Sequence, residues 1–319
     1  MQHDTAWTHE DIHDLTGKKI IVTGANSGIG FEAAMHLAAK GAHVIMACRN
    51  EEKATRAISQ ITRRFPDAKL TFMPLDLADL SSVEAFAKSY KDQYDTLDRL
   101  INNAGIMAIP RRTTADGFEM QLGTNHLGHF ALTGQLIDTL LATPASRIVS
   151  VSSMAHRMGK IRFDDLHGER KYDPWRAYGQ SKLANLLFTY ELDHRLRAIH
   201  ADTIAVACHP GYSSTNLQMV GPKMQQSSLK EKLNALGNQV IAQSAHMGAL
   251  PTLYAATADD VVGGDYIGPD GFMEIRGYPT KVTSNTASQR VETGRKLWEV
   301  SKQLTDVDFA PLEREEEAA

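Results

Sequence analysis

Short apolar runs alternate with longer amphipathic segments along most of the chain, and this alternation constrains the fold more than any other feature. Apolar runs rich in β-branched residues predict strands, and the segments between them predict helices. Strands separated by helices at this spacing predict an α/β protein with a doubly wound parallel sheet covered on both faces. The predicted strands are Lys19–Thr23, His43–Ala47, Lys69–Met73, Arg99–Ile101, Arg147–Val151 and Thr203–Cys208.

Capping signals place the helices between these strands. Gly41 follows a segment whose apolar residues recur every four positions, which predicts a helix that ends at a glycine cap. Asn50 predicts the N-cap of the next helix, and Ser81 with Glu84 predicts a capping box at the start of the third. The expected helices cover about 29–40, 51–64, 82–91, 118–141 and 175–198.

No linker or change in composition divides the 319 residues, so a single domain is expected over residues 17–310. Residues 1–16 are interpreted as an N-terminal extension, and 311–319 as an acidic tail that frays. The stretch 212–240 is rich in Gln, Ser, Lys and Met and breaks the alternation. It is interpreted either as a mobile loop over the substrate or as an ordinary surface excursion.

The composition argues against nucleic-acid and membrane partners. Lys and Arg total 34 against 38 Asp and Glu, which gives a net charge of -4 and no basic surface for a polyanion. The polar, acidic N-terminus lacks the features of a secretory signal, and no apolar run approaches the ~20 residues that span a bilayer. Cys48 and Cys208 lie in apolar runs, which favours two free core thiols over a disulfide. The expected compartment is therefore the cytoplasm.

A glycine-rich turn joins the first predicted strand to the first predicted helix. Gly24, Gly28 and Gly30 lie in this turn, and glycine lets a backbone approach a pyrophosphate closely. The N–H groups at the start of the following helix then face the phosphates. Together with a doubly wound sheet, the turn predicts the dinucleotide site of a Rossmann fold. A plain tight turn is the alternative interpretation.

The end of the second strand indicates which dinucleotide is bound. NAD enzymes usually place an Asp or Glu here, against the ribose 2′-hydroxyl. In this chain Arg49 follows the strand, and its guanidinium can pair with the 2′-phosphate of NADP in forked geometry. NADP is therefore the expected cofactor. The alternative is that Arg49 only begins a solvated loop, and the nearby Glu51 and Glu52 weaken the NADP assignment.

Five polar side chains are the catalytic candidates. Tyr178 and Lys182 are four positions apart on a predicted helix and so share a face, where the ammonium is expected to lower the pKa of the phenol. Ser152 and Ser153 end the fifth strand, and only one of them can face a substrate because adjacent strand residues point to opposite sides. Asn125, inside the long predicted helix, indicates a local kink or a bound water.

These features, in this order, resemble the short-chain dehydrogenase/reductase family over about residues 17–215. The sequence around them is similar to the retinol-dehydrogenase-type branch, which also includes protochlorophyllide-reductase relatives. The long separation between Ser153 and Tyr178 also suits that branch. The motifs that carry the resemblance are the turn 23–30, Ala47–Arg49, Asn102–Gly105, Asn125–Phe130, Val151–His156, Tyr178, Ser181–Asn185 and Pro210–Gly211.

The resemblance implies a role for each catalytic candidate. Tyr178 would be the general acid in reduction and the general base in oxidation. Lys182 would bind the nicotinamide ribose and lower the pKa of Tyr178. Ser153, the serine that matches the family pattern, would orient and polarise the substrate oxygen. Asn125 would hold a water that joins Lys182 to solvent in a proton relay.

The resemblance also implies which residues contact the cofactor. Asp76 would lie by the adenine, and Asn103 and Ala104 would contact the adenosine side of the cofactor. The residues that would flank the nicotinamide amide are Pro210, Gly211 and Thr215. The full predicted set is Gly24, Asn26, Ser27, Gly28, Ile29, Gly30, Arg49, Asp76, Leu77, Asn103, Ala104, Gly105, Tyr178, Lys182, Pro210, Gly211 and Thr215.

The activity implied is hydride transfer between NADP(H) and an alcohol or carbonyl compound, with reduction of a bulky apolar ketone or aldehyde expected. Family members are commonly dimers or tetramers, so a homo-oligomer is expected. One alternative is a catalytically silent NADP-binding sensor or scaffold, which the intact Tyr–Lys–Ser–Asn set disfavours. Another is related chemistry, such as an epimerase or a light-driven reductase.

No metal site is expected from the histidines. His9 and His13 are four positions apart, but they lie in a terminal segment without an evident third ligand. His126 and His129, beside Asn125, are interpreted as buried structural residues or neighbours of the cofactor.

Overall fold

The computed structural model describes residues 6–212 and 243–313, and its centre is a sheet of eight strands. The strands are β1 (Lys19–Thr23), β2 (His43–Cys48), β3 (Lys69–Pro74), β4 (Arg99–Asn102), β5 (Arg147–Val151), β6 (Ile204–Cys208), β7 (Tyr266–Pro269) and β8 (Pro279–Lys281). Their order is β3-β2-β1-β4-β5-β6-β7-β8, and all neighbours are parallel except β7 and β8. The doubly wound Rossmann fold is confirmed, and its strand order reverses between β1 and β4, where such folds bind ligands.

Helices cover both faces of this sheet, as the buried strands require. Alternate residues of β1 enter different core clusters, because Ile20 and Val22 pack with one layer of helices and Ile21 with the other. The helices are α1 (Gly28–Ala39), α2 (Glu51–Arg64), α3 (Leu80–Gln93), α4 (Gly128–Leu141), α5 (Pro174–Ala198), α6 (Ala245–Thr257) and α7 (Val291–Thr305). Helices α1, α2 and α6 pack on the first face, and α3, α4, α5 and α7 on the second.

Two of the three predicted helix caps are present. Gly41, at φ +94°, follows the end of α1, and the Asn50 side chain accepts the N–H of Lys53 at 2.8 Å. The capping box of Ser81 and Glu84 is wrong, because α3 begins at Leu80. The carboxylate of Asp79 caps this helix instead, and it also accepts the Ser81 hydroxyl at 2.7 Å.

The long helix predicted over 118–141 is interrupted. A helical turn at Met120–Leu122 leads into a π-helical turn at Gly123–Leu127 before α4 begins. Asn125 lies in the π-helical turn, a departure from regular α-helix at the residue where the sequence indicates a kink or a bound water. The helical segment begins later than predicted because Glu119 caps it, accepting the N–H of Leu122 at 2.7 Å.

The N-terminal segment packs on the domain as far as the structure describes it. Ile12 and Leu15 are buried in the core beneath α1 and α6, and Trp7 contacts Tyr254 of α6 with ring centroids 5.1 Å apart. Residues 6–16 are therefore not a detached extension. Of the predicted substrate loop at 212–240, only Tyr212 lies within the described residues, and residues 314–319 of the predicted tail also lie outside them.

Several smaller features bear on the earlier expectations. Cys48 and Cys208 are buried and free, as predicted. Within 6–212 and 243–313, no helix is both long and apolar enough to cross a membrane. The edge strands β3 and β8 each carry a lysine at one end and a proline at the other.

Candidate active site

A cavity of about 320 Å³ lies along the carboxyl ends of the central strands. The structure places most of the predicted cofactor residues around it. Gly211 lies next to the cavity without lining it, because its N–H turns back to His209 Nδ1 at 3.2 Å. Thr215 lies outside the described residues. The predicted residues that line the cavity are Gly24, Asn26, Ser27, Gly28, Ile29, Gly30, Arg49, Asp76, Leu77, Asn103, Ala104, Gly105, Tyr178, Lys182 and Pro210.

Other residues of the lining were not predicted. Ala47, Cys48, Leu75 and Val151 lie at strand ends beside predicted residues, so the strand boundaries could have indicated them. Ile106, Met120 and Thr124 reach the cavity only through the packing of the π-helical turn, for which the sequence has no periodic signal. Ser152 contributes as well.

The glycine turn fits closely against the end of β4. Gly24 has φ +67°, a conformation that favours glycine. A Cβ at Gly30 would lie 2.5 Å from Asn103 Nδ2 and 2.6 Å from the Gly24 carbonyl oxygen, so a larger residue cannot fit there. No described side chain caps the start of α1. The first N–H groups of this helix therefore remain available to an anion.

Thr23 joins the ends of β1 and β4 and sets the position of His129. Its hydroxyl oxygen accepts the N–H groups of Asn103 and Ala104, each at 2.9 Å. His129 Nε2 lies 2.9 Å from the same hydroxyl, and its Nδ1 lies 3.0 Å from the Asn125 carbonyl oxygen. Because that carbonyl can only accept, Nδ1 carries the ring proton and Nε2 is the acceptor. Burial lowers the pKa of His129 to about 4, which keeps the ring neutral.

Helix α5 brings Tyr178 and Lys182 to the cavity. Asp173 caps this helix by accepting the N–H of Arg176 at 2.8 Å, and Pro174 occupies its first position. Lys182 Nζ lies 5.9 Å from the centroid of the Tyr178 ring and donates to the Val151 carbonyl oxygen at 2.9 Å. The two side chains are therefore held together at the end of β5.

The pKa values of this pair move in opposite directions. Burial raises the pKa of Tyr178 to about 12, although the Ser153 hydroxyl opposes this change. Burial lowers the pKa of Lys182 to about 8. The predicted lowering of the Tyr178 pKa is thus wrong for the protein alone, because burial disfavours the charged phenolate more than the Ser153 hydroxyl favours it. At neutral pH Tyr178 is a neutral phenol and can donate a proton.

The two serines after β5 have different partners. The Ser152 hydroxyl donates to the Lys182 carbonyl oxygen at 2.8 Å within the core. The Ser153 hydroxyl accepts the N–H of Ala155 at 3.2 Å and adjoins Tyr178. The opposite orientation of adjacent strand residues explains this division. Ser153 is therefore the hydroxyl that lies beside the phenol.

The Asn125 side chain holds the loop after β4 through hydrogen bonds to the backbone of Ile106. Its Oδ1 accepts the N–H of Ile106 at 2.8 Å, and its Nδ2 donates to the Ile106 carbonyl oxygen at 3.0 Å and to Ser181 Oγ at 2.9 Å. A Cβ at Gly105 would lie 3.2 Å from Asn125 Oδ1 and 3.5 Å from Lys182 Nζ. Asn125 and Lys182 thus both lie near Gly105, and the proton relay implied by the family resemblance stays a prediction.

Arg49 lies at the other end of the cavity from Lys182. Three strand positions separate β2 from β5, which corresponds to roughly 14 Å at the usual spacing of neighbouring strands. The Arg49 side chain is 74% exposed, and its Nη1 lies 3.6 Å from Asp76 Oδ2. An exposed cationic group that contacts Asp76 therefore lies at the end of the cavity away from Tyr178.

Comparison with known proteins agrees with this geometry. The family model described as short chain dehydrogenase matches residues 18–226, about two thirds of the chain. The chain belongs to the short chain dehydrogenase family. Its members are oxidoreductases that use a nicotinamide cofactor.

The similar curated proteins place this dehydrogenase in the retinol-dehydrogenase-like branch. Human retinol dehydrogenase 13 is 39% identical over 95% of this chain and 88% of its own length. Human retinol dehydrogenase 11 is 40% identical over 91% of this chain and 86% of its own length. Among solved structures, an uncharacterized protein from Mycobacterium Paratuberculosis superposes with a TM-score of 0.79 at 42% identity, covering 96% of this chain and 99% of the other. Both the family and the branch predicted from the sequence are confirmed.

Exposed apolar side chains lie near the Tyr178 end of this dehydrogenase's cavity but do not line it. The exposed Trp175 lies one helical turn before Tyr178, with ring centroids 6.3 Å apart. The exposed Met158 lies beside Gly179, the residue after Tyr178, and lines a neighbouring pocket. Tyr212, two residues after the cavity residue Pro210, donates its N–H to the Ile275 carbonyl oxygen at 2.7 Å. Trp175 is therefore an apolar side chain that the structure places next to the phenol.

Proposed function

We propose that the protein is an NADP(H)-dependent alcohol dehydrogenase or carbonyl reductase. The observation that carries this proposal is that Tyr178 and Lys182 line one end of a cavity whose lining also includes the glycine turn. Ser153 does not line the cavity itself, but its hydroxyl adjoins the Tyr178 phenol. A phenol, an ammonium and a hydroxyl suffice to protonate and polarise a carbonyl oxygen. Family membership supports the same class of reaction.

The residues around the cavity fit a nicotinamide dinucleotide. At Gly30 a Cβ would collide with Asn103 Nδ2 and the Gly24 carbonyl oxygen, so glycine lets the start of α1 pack close to the turn. The N-terminal end of α1 then favours the negative charge of a pyrophosphate. When bound, the dinucleotide supplies or accepts the hydride. Lys182, beside Gly105, is placed to hold the ribose at that end.

Tyr178 and Ser153 act on the substrate oxygen in this proposal. Ser153 donates a hydrogen bond to that oxygen and holds it beside the phenol. In reduction, the Tyr178 hydroxyl gives its proton to the oxygen as the carbonyl becomes an alcohol, and in oxidation the phenolate takes the proton back. The raised pKa of Tyr178 keeps the phenol protonated at neutral pH, so the proton that reduction consumes is present.

The preference for NADP(H) rests on Arg49. The residue directly after β2 is a cation rather than a carboxylate, and its guanidinium is exposed at the adenosine end of the cavity. A 2′-phosphate there would form a charge-assisted hydrogen bond with it. Asp76 lies near enough to orient the guanidinium.

A bulky apolar ketone or aldehyde is the substrate class we propose. The exposed Trp175 next to Tyr178 supports this class, because it offers an apolar surface near the phenol. The similar proteins are named retinol dehydrogenases, which indicates a large apolar alcohol as the substrate of those proteins. We also propose a homodimer or homotetramer in the cytoplasm, where the free thiols of Cys48 and Cys208 would remain reduced.

The test is turnover with NADPH and NADH, side by side, over a panel of aromatic and aliphatic ketones and aldehydes. The Tyr178→Phe variant is expected to lose about 10²–10⁴-fold in kcat, because it removes the proton donor, while NADPH binding, followed by fluorescence, persists. Better use of NADH would refute the role of Arg49 but not the reaction class. Tight NADPH binding without turnover of any carbonyl would favour the sensor or scaffold alternative.

A further inference from the structure

Three histidines from separate parts of the chain meet outside the cavity. His9 lies in the short 3-10 turn His9–Asp11, His36 in the last turn of α1, and His246 in the first turn of α6. One ligand nitrogen of each lies within 4.8 Å of those of the other two. The ring centroid of His9 lies 4.1 Å from that of His36 and 5.0 Å from that of His246.

The distances suit a small cation. His36 Nε2 and His246 Nδ1 are 3.2 Å apart, close to the roughly 3.3 Å between two nitrogens at tetrahedral positions with Zn–N bonds of about 2.0–2.1 Å. Glu32, one turn before His36 on α1, places its Oε2 3.7 Å from His36 Nε2 and 3.6 Å from His246 Nδ1. A carboxylate is thus positioned beside two of the three imidazoles.

One nitrogen of the cluster has no other partner within residues 6–212 and 243–313. The His9 Nδ1 atom is buried and lacks a hydrogen-bond partner among the described residues. Neutral imidazoles and a carboxylate are the usual ligands of a zinc ion.

We propose that His9, His36 and His246, together with Glu32, bind a divalent transition-metal ion such as Zn²⁺. The site lies about 12 Å along α1 from Gly28, at 1.5 Å per residue, and is therefore separate from the cavity. A metal there would join the N-terminal segment to α1 and α6 in one cross-link. Its role would be structural, because all four positions are occupied by side chains.

This proposal revises the expectation drawn from the sequence. The spacing in the sequence pairs His9 with His13, four positions later, but His13 is exposed and does not belong to the cluster of His9, His36 and His246. His36 and His246 are 210 positions apart and come together only because α1 packs against α6. Sequence spacing carries no signal for such a site.

The first test is binding of Zn²⁺ alone to the full chain, without a polyhistidine tag and after removal of metal with a chelator. We expect one Zn²⁺ per chain in competition with a chromophoric chelator, and a higher Tm with Zn²⁺ than without it. His9→Ala and His246→Ala are each expected to weaken binding by more than about tenfold. The exposed His13→Ala is the matched control and should bind like the wild type.

A second readout protects the test against misfolding. His9 lies in a three-residue 3-10 turn outside the sheet and the α-helices. His9→Ala should therefore keep its circular dichroism spectrum and its NADPH affinity while it loses the Zn²⁺-dependent rise in Tm. Failure to bind one equivalent of Zn²⁺, or equal affinity in the wild type and in both His9→Ala and His246→Ala, would overturn the proposal. Neither result bears on the proposed reaction at Tyr178.

Discussion

Arg49 illustrates how a single side chain can set cofactor choice. Its side chain is largely exposed, so Arg49→Gln removes the positive charge without leaving a cavity in the core. A charge-assisted hydrogen bond contributes about 1.5–3 kcal/mol, and we expect KM for NADPH to rise roughly 10–150-fold, since 1.4 kcal/mol is tenfold. KM for NADH should change little. Arg56→Gln, which removes an exposed arginine paired with Glu52 on α2, is the control. Equal effects on both cofactors would contradict the 2′-phosphate role.

The neighbouring serines allow a second prediction with an internal comparison. Ser153→Ala should lower kcat by about 10²-fold, the effect of losing one donor to a developing oxyanion. Ser152→Ala removes instead a buried hydrogen bond to the Lys182 carbonyl oxygen. It should lower the free energy of unfolding by about 1 kcal/mol. Steady-state kinetics and urea unfolding of both variants separate the two effects, and the reverse pattern would assign the substrate oxygen to Ser152.

For single residues, the sequence predicts where a side chain lies better than it predicts the pKa of that side chain. Spacing on a helix was enough to pair Tyr178 with Lys182, and the alternation of strand residues was enough to separate Ser152 from Ser153. The sequence does not predict the direction of the Tyr178 pKa shift, because this direction depends on how completely the folded chain removes the phenol from water.

Among the elements, α4 and the π-helical turn before it carry two fully buried histidines. Burial lowers the pKa of His126 to about 3 and that of His129 to about 4. The unfolded chain, in which histidine has a pKa of about 6.5, therefore binds protons that the folded chain does not. The contribution of the two histidines to the free energy of unfolding is therefore fully present above about pH 6.5. It is lost as the pH falls toward their pKa values in the folded chain.

We therefore expect the free energy of unfolding to decrease on acidification below pH 6.5, by about 1.4 kcal/mol per pH unit for each such histidine. His126→Gln, which can keep a hydrogen bond to Ser301, should make this dependence less steep by one proton. The exposed His194→Gln is the control. Urea unfolding between pH 7 and 5 measures the slopes, and identical slopes for the wild type and His126→Gln would show that His126 is protonated in the folded state.

Element boundaries and the last strands show where prediction from sequence stops. The start of α3 was misplaced because Asp79 and Ser81 are both good N-cap residues, and only the structure shows which one accepts the N–H groups. Strands β7 and β8 escaped prediction because they are short and contain Gly268, Pro269 and Pro279, which are unfavourable in strands. Helix α6 contains Pro251, which obscures its pattern.

For the molecule as a whole, the N-terminal segment is part of the stable unit. Ile12 and Leu15 are 3% and 2% exposed in the core. We expect Ile12→Ala and Leu15→Ala each to lower the free energy of unfolding by about 2–5 kcal/mol. The exposed His13→Ala, between them, should leave it within about 0.5 kcal/mol. Urea unfolding without added metal provides the measurement, and a neutral Leu15→Ala would show that the segment is indeed a dispensable extension.

The edges of the sheet have a consequence for how copies of this chain can associate. Strand β3 closes one edge and the three-residue β8 the other, and each carries a lysine and a proline. Proline lacks the N–H that a neighbouring strand needs, and an edge lysine would be desolvated by one. Continuation of the sheet from one copy into the next is therefore disfavoured at both edges. Self-association, and resistance to fibrous aggregation, then depend on the helix and loop surfaces.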